Sequence, residues 1–385
     1  MPKPYDLSHP LTALEPDHTM VVVVEMSKAS WLVAAIVPGL ARAPLKKIDT
    51  DENQLLRLIE RWTSEAAKAG RSITRTALAY EAGRDGFWLA RWLIARGVES
   101  YVIHSSSVAV SREHRRAKTD RLDTEMLKRV FLGWLRGERG HCRMVQIPSV
   151  ADEDARRPGR ERETLVRERT RIANRLRGAV IRLGIRRFNP VAAKALEQLP
   201  ALRTADGDPV PPHWREEMRR DLQRLALITA QIREIEAARE ERLQAAPADR
   251  PHALVCLLAK IRGIGVETAA LLVHEVLVRN LRDRRAVARY AGLTGSPDES
   301  GSRRRDKGLA KSGNARLRKG MIQLAWRWLM FQPESALAQW YRERTRNAAG
   351  VRKTMIVALA RKLLVDLWRF AATGELPIGA TLRGA

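Results

Sequence analysis

MVVVVEMSKASWLVAAIVPG, residues 20–39, sets four valines and a second apolar run on either side of a short polar break. β-Branched residues in runs of this length, separated by so few polar ones, fit two strands joined by a tight connection. Outward from there, ENQLLRLIERWTSEAAKA (52–69) carries Leu55, Leu56, Ile59 and Trp62 at helical spacing. TRTALAYEAG (74–83) reads as a strand, RDGFWLARWLIARG (84–97) as a helix ending at Gly97, and ESYVIH (99–104) as a further strand. TDRLDTEMLKRVFLGWLRG (119–137) reads as a helix with Thr119 or Asp120 as its N-cap. Strands first, then strands alternating with helices, predict an α/β layer domain over 18–145.

The composition changes after IPSVADEDARRPGR. Residues 161–187 carry Leu165, Ile172, Leu176, Val180 and Leu183 on one helical face and mostly arginine on the other. After the proline-containing break LPALRTADGDPVPPHW, residues 215–245 repeat the pattern with Met218, Leu222, Leu225, Ile228, Ile232 and Ile235. The two segments fit an antiparallel hairpin or an intermolecular coiled coil equally well. This helical, coiled-coil region is expected over 146–250, and an all-α unit over 251–385. Within that last unit 318–372 reads as helical throughout, and 290–320 reads as a loop-rich basic stretch.

Charge narrows the class of partner. Lys and Arg number 70 against 44 Asp and Glu, a net +26 over 385 residues. A surface this basic repels itself unless it meets a polyanion, and nucleic acid is the commonest one. An arginine-rich proteome explains a high Arg/Lys ratio but not the net excess. The two cysteines, Cys142 and Cys256, exclude a disulfide framework and a cysteine-based zinc site, and suit reduced thiols in the cytoplasm. No apolar run reaches the ~18–20 residues of a membrane span. The opening MPKPYDLSHPLTALEPDH has prolines and acids where a signal peptide needs an apolar core.

Three stretches carry candidate chemistry. In RRAKTDRLDTEML (115–127), Lys118 and Arg121 suit a phosphate backbone, yet Asp120 and Asp123 stand beside them, three apart on one helix face. Glu25 and Glu81 end predicted strands. Singly, each acid reads better as a cap or a surface ion-pair partner. Together, in so basic a chain, four carboxylates suit a hard cation such as Mg²⁺ and two-metal phosphoryl transfer. In the turn IRGIG (261–265), Gly263 and Gly265 let backbone N–H groups approach a phosphate, as in a helix–hairpin–helix; a plain helical hairpin fits as well. In DESGSRRR (298–305), Ser300 and Ser302 lie in an expected flexible loop beside Arg303, Arg304 and Arg305. Spacing alone makes these a phosphate clamp or a solvated turn. Lys311, Arg316 and Arg318 extend the same basic stretch.

These motifs, in this order, resemble the DEDD transposases of the insertion-sequence 110 family, RNA-guided serine recombinases. The family's K-T-D-x-x-D-A is matched by AKTDRLDTEML and its E-A-T/S-G by YEAGRDG. Its P-G-I-G-x-x-T-A is matched by RGIGVETAA, with Arg262 in place of the proline. The family's F-A-G-L-x-P…S-G…K-x-G-x-x-x-L-R is matched by YAGLTGSPDESGSRRRDKGLAKSGNARLRKG. The first acid, ordinarily an aspartate in I-G-I-D-x-x-K, is Glu25 in VVVVEMSK.

The resemblance implies a RuvC-like (RNase H) domain, a coiled-coil region and a C-terminal transposase domain. It also implies Ser300, rather than Ser302, as nucleophile, and Mg²⁺ on Glu25, Glu81, Asp120 and Asp123. The implied partners are donor and target DNA, a structured guide RNA, and further copies of the chain in a dimer or tetramer. The setting is the prokaryotic cytoplasm, at the nucleoid. Two other readings stand beside it: a RuvC-like nuclease using water, and a catalytically decayed nucleic-acid-binding copy.

Overall fold

The computed structural model describes residues 13–108, 119–138, 140–245, 249–300, 303–310, 312–346 and 349–384, without the side chains of 297–300, 303–307 and 349. The chain divides into two compact units, Met1–Ser149 and Val150–Ala385.

The first unit is built on a five-stranded sheet. β1 (Thr19–Met26), β2 (Trp31–Ile36) and β3 (Leu45–Ile48) form an antiparallel meander. α1 (Glu52–Lys68) follows, with the Asp51 side chain accepting from the Asn53 amide at its N-cap and Leu55, Leu58, Ile59, Trp62 and Ala66 buried. β4 (Arg75–Glu81), α2 (Trp88–Ile94), β5 (Glu99–Ile103) and α3 (Asp120–Leu135) complete the unit. The strand order is β3-β2-β1-β4-β5, with β4 parallel to β1 and β5 parallel to β4. Three antiparallel strands extended by parallel ones, with helices on both faces, match the expected mixed α/β layer. β3 went unforeseen because LKKI is a short edge strand with little buried surface and so no apolar alternation.

The central valines explain why β1 is a core strand. Met20 to Val24 are each at most 2 % exposed, and burying each such side chain stabilises by about 1.5–3 kcal/mol. Their parity divides the sheet. Met20, Val22, Val24, Leu78 and Tyr80 pack in one core with α1 and α2. Val21, Val23, Ala77 and Ala79 pack in the other with Leu127, Val130, Phe131 and Trp134 of α3.

The second unit opens with α4 (Val150–Asp154) and α5 (Arg157–Arg182), then α6 (Ala195–Gln198) and α7 (Pro212–Gln244). Arg162 pairs with Glu236, and Arg175 with Asp221. Rising numbers on α5 therefore meet falling ones on α7, an antiparallel intrachain hairpin. Its seam is Ile172, Leu176 and Val180 against Met218, Leu222, Leu225, Ile228 and Ile232.

α8 (Arg250–Ala259), α9 (Val266–Leu272), a π-helical turn over Val273–Leu277 and α10 (Arg284–Tyr290) come next. A two-stranded hairpin, β6 (Gly295–Ser300) with β7 (Arg303–Leu309), leads to α11 (Ala315–Phe331), α12 (Ala336–Thr345) and α13 (Arg352–Thr373). Ile261, Ile264, Leu272, Met321, Trp328, Leu363 and Leu367 lie in the core of these helices.

The basic stretch expected to be a loop thus holds a β-hairpin, and the described residues of 318–372 are largely helical, as expected, divided among α11, α12 and α13. The helical hairpin is not a separate segment either. Glu163 of α5 pairs with Arg316 of α11, and Arg239 of α7 bonds Glu267 of α9, so the hairpin's base is built into the C-terminal helices.

Candidate active site

Glu25 and Glu81 occupy matching places on neighbouring strands. The β1/β4 register runs to Val24 opposite Tyr80, so the next position on each strand is a glutamate. Side chains alternate along a strand. Glu25 follows Val21 and Val23, and Glu81 follows Ala77 and Ala79, so both belong to the face that α3 covers. Four or five buried apolar residues precede each acid, and both sit where the strand leaves the core: Glu25 is half-buried and Glu81 exposed. A carboxylate deeper in either strand would face a desolvation cost of several kcal/mol, roughly.

Asp120 and Asp123 open the helix on that face. Thr119 is the N-cap, its side chain accepting from the Leu122 amide at 3.3 Å. The Asp123 amide bonds the Thr119 carbonyl at 3.1 Å, and Thr124 Oγ1 donates to the Asp120 carbonyl at 2.6 Å. Asp120 is exposed and Asp123 half-buried. The first turn is also where the helix dipole favours acids, so capping alone accounts for part of their presence. Arg121 is exposed beside them; Lys118 lies outside the described residues.

All four acids therefore belong to one sheet face and its covering helix, and a hard divalent cation would need their oxygens drawn together. Among the described residues no group of three or more His, Cys, Asp or Glu stands close enough to hold a metal ion.

The second unit places the remaining candidates differently. Ser300 ends β6, in register opposite Arg303, with Glu299 opposite Arg304 and Asp298 opposite Arg305. The side chains of all six, and Lys311 altogether, lie outside the described residues.

Gly263 and Gly265 separate in role. Gly263 has φ +91, and a Cβ there would lie 2.9 Å from Phe331 Cβ, so this glycine is required by the turn and its packing. Gly265 has φ −82 and open space where a Cβ would be. The turn is tied down by the Arg262 amide on the Thr381 carbonyl and by Gln332 Nε2 on the Arg262 carbonyl at 2.8 Å.

Arg316 and Arg318, expected as backbone contacts, have internal partners. Arg316 bonds Glu163 at 2.7 Å and Glu275 at 2.9 Å. Arg318 Nη1 donates to the carbonyls of Gly292, Ala310 and Ser312 at 3.2–3.4 Å.

Glu275 is the residue the sequence reading missed. It is 1 % exposed and receives hydrogen bonds from Arg160, Arg316 and Asn314. Burial pushes its carboxyl up, but Arg160, Asn314 and Arg316 outweigh that and hold it below its ordinary 4.5. The available signal was an acid inside the apolar run LLVHEVLV, a place where a charge persists only with partners.

Comparison with known proteins shows the family. Residues 18–183 match the DEDD transposase model of the IS110 type, and residues 256–341 match the model described as Transposase IS116/IS110/IS902 family. The chain is 40% identical over 373 residues, 94% of each chain, to "Putative transposase y4rJ" of Sinorhizobium fredii (strain NBRC 101917 / NGR234). A mixed α/β N-terminal sheet followed by a helical C-terminal region is consistent with a DEDD, RNase H-like transposase. The chain belongs to the IS110 family of transposases, enzymes that cut and rejoin DNA by phosphoryl transfer. No helix among the described residues is long and apolar enough to cross a membrane.

Proposed function

We propose that the protein recombines its own insertion sequence through a metal-assisted serine attack on DNA. The observation that carries the metal half is the β1/β4 register, which sets Glu25 beside Glu81 on the face covered by the Asp120–Asp123 helix. Glu25, Glu81, Asp120 and Asp123 would hold Mg²⁺, and a bound divalent cation supplies charge neutralisation at the scissile phosphate. Ser300 Oγ forms the new bond to phosphorus while the P–O3′ bond breaks, leaving a 5′-phosphoserine and a free 3′-hydroxyl. Attack by the 3′-hydroxyl of another strand on that phosphoserine restores the serine and rejoins the DNA without net hydrolysis. The place of Ser300 at a hairpin end, and the match of its motif to the family, support it as the nucleophile.

A structured noncoding RNA of the element reads donor and target by base pairing. The basic faces then need to recognise only backbone and helix shape. A net +26 spread over arginine-rich helices suits that division of labour. Catalysis takes place in a dimer or tetramer of the chain at the nucleoid.

The test is adduct trapping on a plasmid bearing the element ends, with the element's RNA and Mg²⁺. The native protein is expected to become covalently linked to DNA, and Ser300→Ala to lose both adduct and recombination. Cleavage by Ser300→Ala at the native rate would assign attack to water instead. A native protein that binds but never cuts would mark a decayed copy.

A further inference from the structure

The two ends of the β6–β7 hairpin are fastened to each other and to a buried acid. The Ala310 amide bonds the Thr294 carbonyl at 2.9 Å, and the Asn314 amide bonds the Tyr290 carbonyl at 2.7 Å. Arg318 Nη1 gathers carbonyls from both sides, Gly292 before the hairpin and Ala310 and Ser312 after it. The backbones meet so closely that only glycine fits. A Cβ on Gly313 (φ +93) would lie 2.6 Å from the Gly292 nitrogen, and one on Gly292 (φ +65) 2.5 Å from the Ser312 carbonyl oxygen.

Asn314 joins this base to the core. Its Oδ1 accepts the Leu317 amide at 3.0 Å as the N-cap of α11, while its Nδ2 donates to Glu275 Oε2 at 2.9 Å. Glu275 belongs to the π-helical turn and is held in place by Arg316 and by Arg160 of α5. A single wide turn, buried, carrying a charge with three donors, is costly to build for packing alone.

We propose that Asn314 and Glu275 are positioning residues: together they hold the β6–β7 hairpin, and so Ser300, at one place on the helical unit. The role in chemistry rests on the reading of Ser300 as nucleophile; the mechanical role does not.

The experiment uses the full chain and two caps of differing charge. Asn314→Ser and Asn314→Asp both keep a good N-cap oxygen for α11. Serine lacks the donor to Glu275, and aspartate puts a second carboxylate against it. Amide hydrogen exchange is read over 295–309 and, as an internal standard, over 356–370 of α13, alongside adduct yield on the plasmid substrate.

Exchange over the hairpin is expected to rise about tenfold in Asn314→Ser and further in Asn314→Asp, with α13 unchanged and adduct yield falling in the same order. A residue that only caps α11 predicts Asp at least as good as Ser, and that ranking overturns the proposal. So does unchanged hairpin exchange in both variants, or raised exchange with native adduct yield. A native protein with no serine adduct, whose hairpin still loosens in the native-to-Ser-to-Asp order, defeats the serine reading and leaves the clamp standing.

Discussion

Arg175 of α5 grips Asp221 of α7 with two parallel hydrogen bonds, Nε to Oδ2 at 2.6 Å and Nη2 to Oδ1 at 2.5 Å. Asp221 is only 3 % exposed at its side chain, and Arg224 adds a third bond at 2.9 Å. A fork-to-fork pair at a hydrophobic seam fixes the register of two long helices that leucine and isoleucine would let slide. Asp221→Ala is expected to destabilise the protein by about 1–2 kcal/mol, because it removes the buried carboxylate that ties two half-exposed arginines to the seam. The hydrogen bonds from Arg175 hold the Asp221 carboxyl below its ordinary 3.8 against the opposing effect of burial. Its depressed folded-state pKa means the pair stabilises at neutral pH and loses that contribution as pH falls below 3.8. Urea unfolding of native and Asp221→Asn proteins should therefore show a gap at pH 7 that closes in acid. A gap that widens in acid would contradict the assignment.

The two glycines of the IRGIG turn should behave oppositely. Gly263→Ala forces a side chain into φ +91 and against Phe331, and is expected to cost about 2 kcal/mol. Gly265→Ala adds a methyl group to open space at φ −82 and should change stability by less than about 0.5 kcal/mol. If the turn meets a phosphate at Gly265, that variant loses DNA affinity while keeping its melting temperature. Unchanged DNA affinity in Gly265→Ala would show that this glycine faces no phosphate.

What the sequence made legible follows from what buries apolar surface. The valine run and the strand before Glu81 show as unbroken apolar runs because both faces of each are core, and the Thr119-capped helix shows its period because one face is. β6 and β7 (GSPDES and RRRDKGL) have no apolar alternation, so nothing in their composition distinguishes a hairpin from a basic loop. Their pairing shows only in the register, with Asp298 and Glu299 opposite Arg305 and Arg304. Arg316 and Arg318 looked like phosphate contacts because arginine's charge is visible in a sequence and its partners, Glu275 and three backbone carbonyls, are not. The parity that unites Glu25 with Glu81 was present in the spacing from Val21 and Ala77, but only pairing of the strands makes them neighbours. Ser300 came from motif resemblance alone.

Ser335 carries a denser load than its size suggests. Its Oγ accepts the Trp328 indole N–H at 2.9 Å and the Ala338 amide at 3.3 Å as the N-cap of α12, and donates to the Gln332 carbonyl at 2.8 Å. Ser335→Ala removes the cap and leaves a buried indole donor unpaired, so a loss of about 2–3 kcal/mol is expected by chemical denaturation. A loss within the ~0.5 kcal/mol typical of surface changes would place the indole's partner elsewhere.

The two thiols should differ sharply in reactivity. Burial pushes the Cys142 thiol up to about 12, and its Sγ lies 3.7 Å from the Val130 carbonyl under α3. Since the thiolate is the nucleophile, Cys142 is expected to resist iodoacetamide near pH 8 in the folded protein, while half-buried Cys256 reacts. Mass spectrometry of the peptides decides it. Labelling of Cys142 at the rate of Cys256 would mean that the α3 face opens readily.

Glu25 and Glu81 make the strongest test of the acidic face, because the register gives each the same place on its strand. Glu25→Gln and Glu81→Gln each keep size and hydrogen-bonding atoms while removing charge, so the strands should hold and the melting temperature stay near native. Adduct formation and recombination are expected to fall about a hundredfold or more in either variant, with DNA affinity little changed. Because the motif resemblance sets Glu25 at the place of an aspartate, Glu25→Asp is the informative third variant. The shorter side chain keeps both oxygens but draws them back toward β1. If Glu25 is a metal ligand, Glu25→Asp should alter the Mg²⁺ concentration needed for half-maximal adduct yield while Glu25→Gln abolishes the dependence. A Glu25→Gln protein that recombines DNA at the native rate would remove Glu25 from the site and leave Glu81, Asp120 and Asp123 to account for the chemistry.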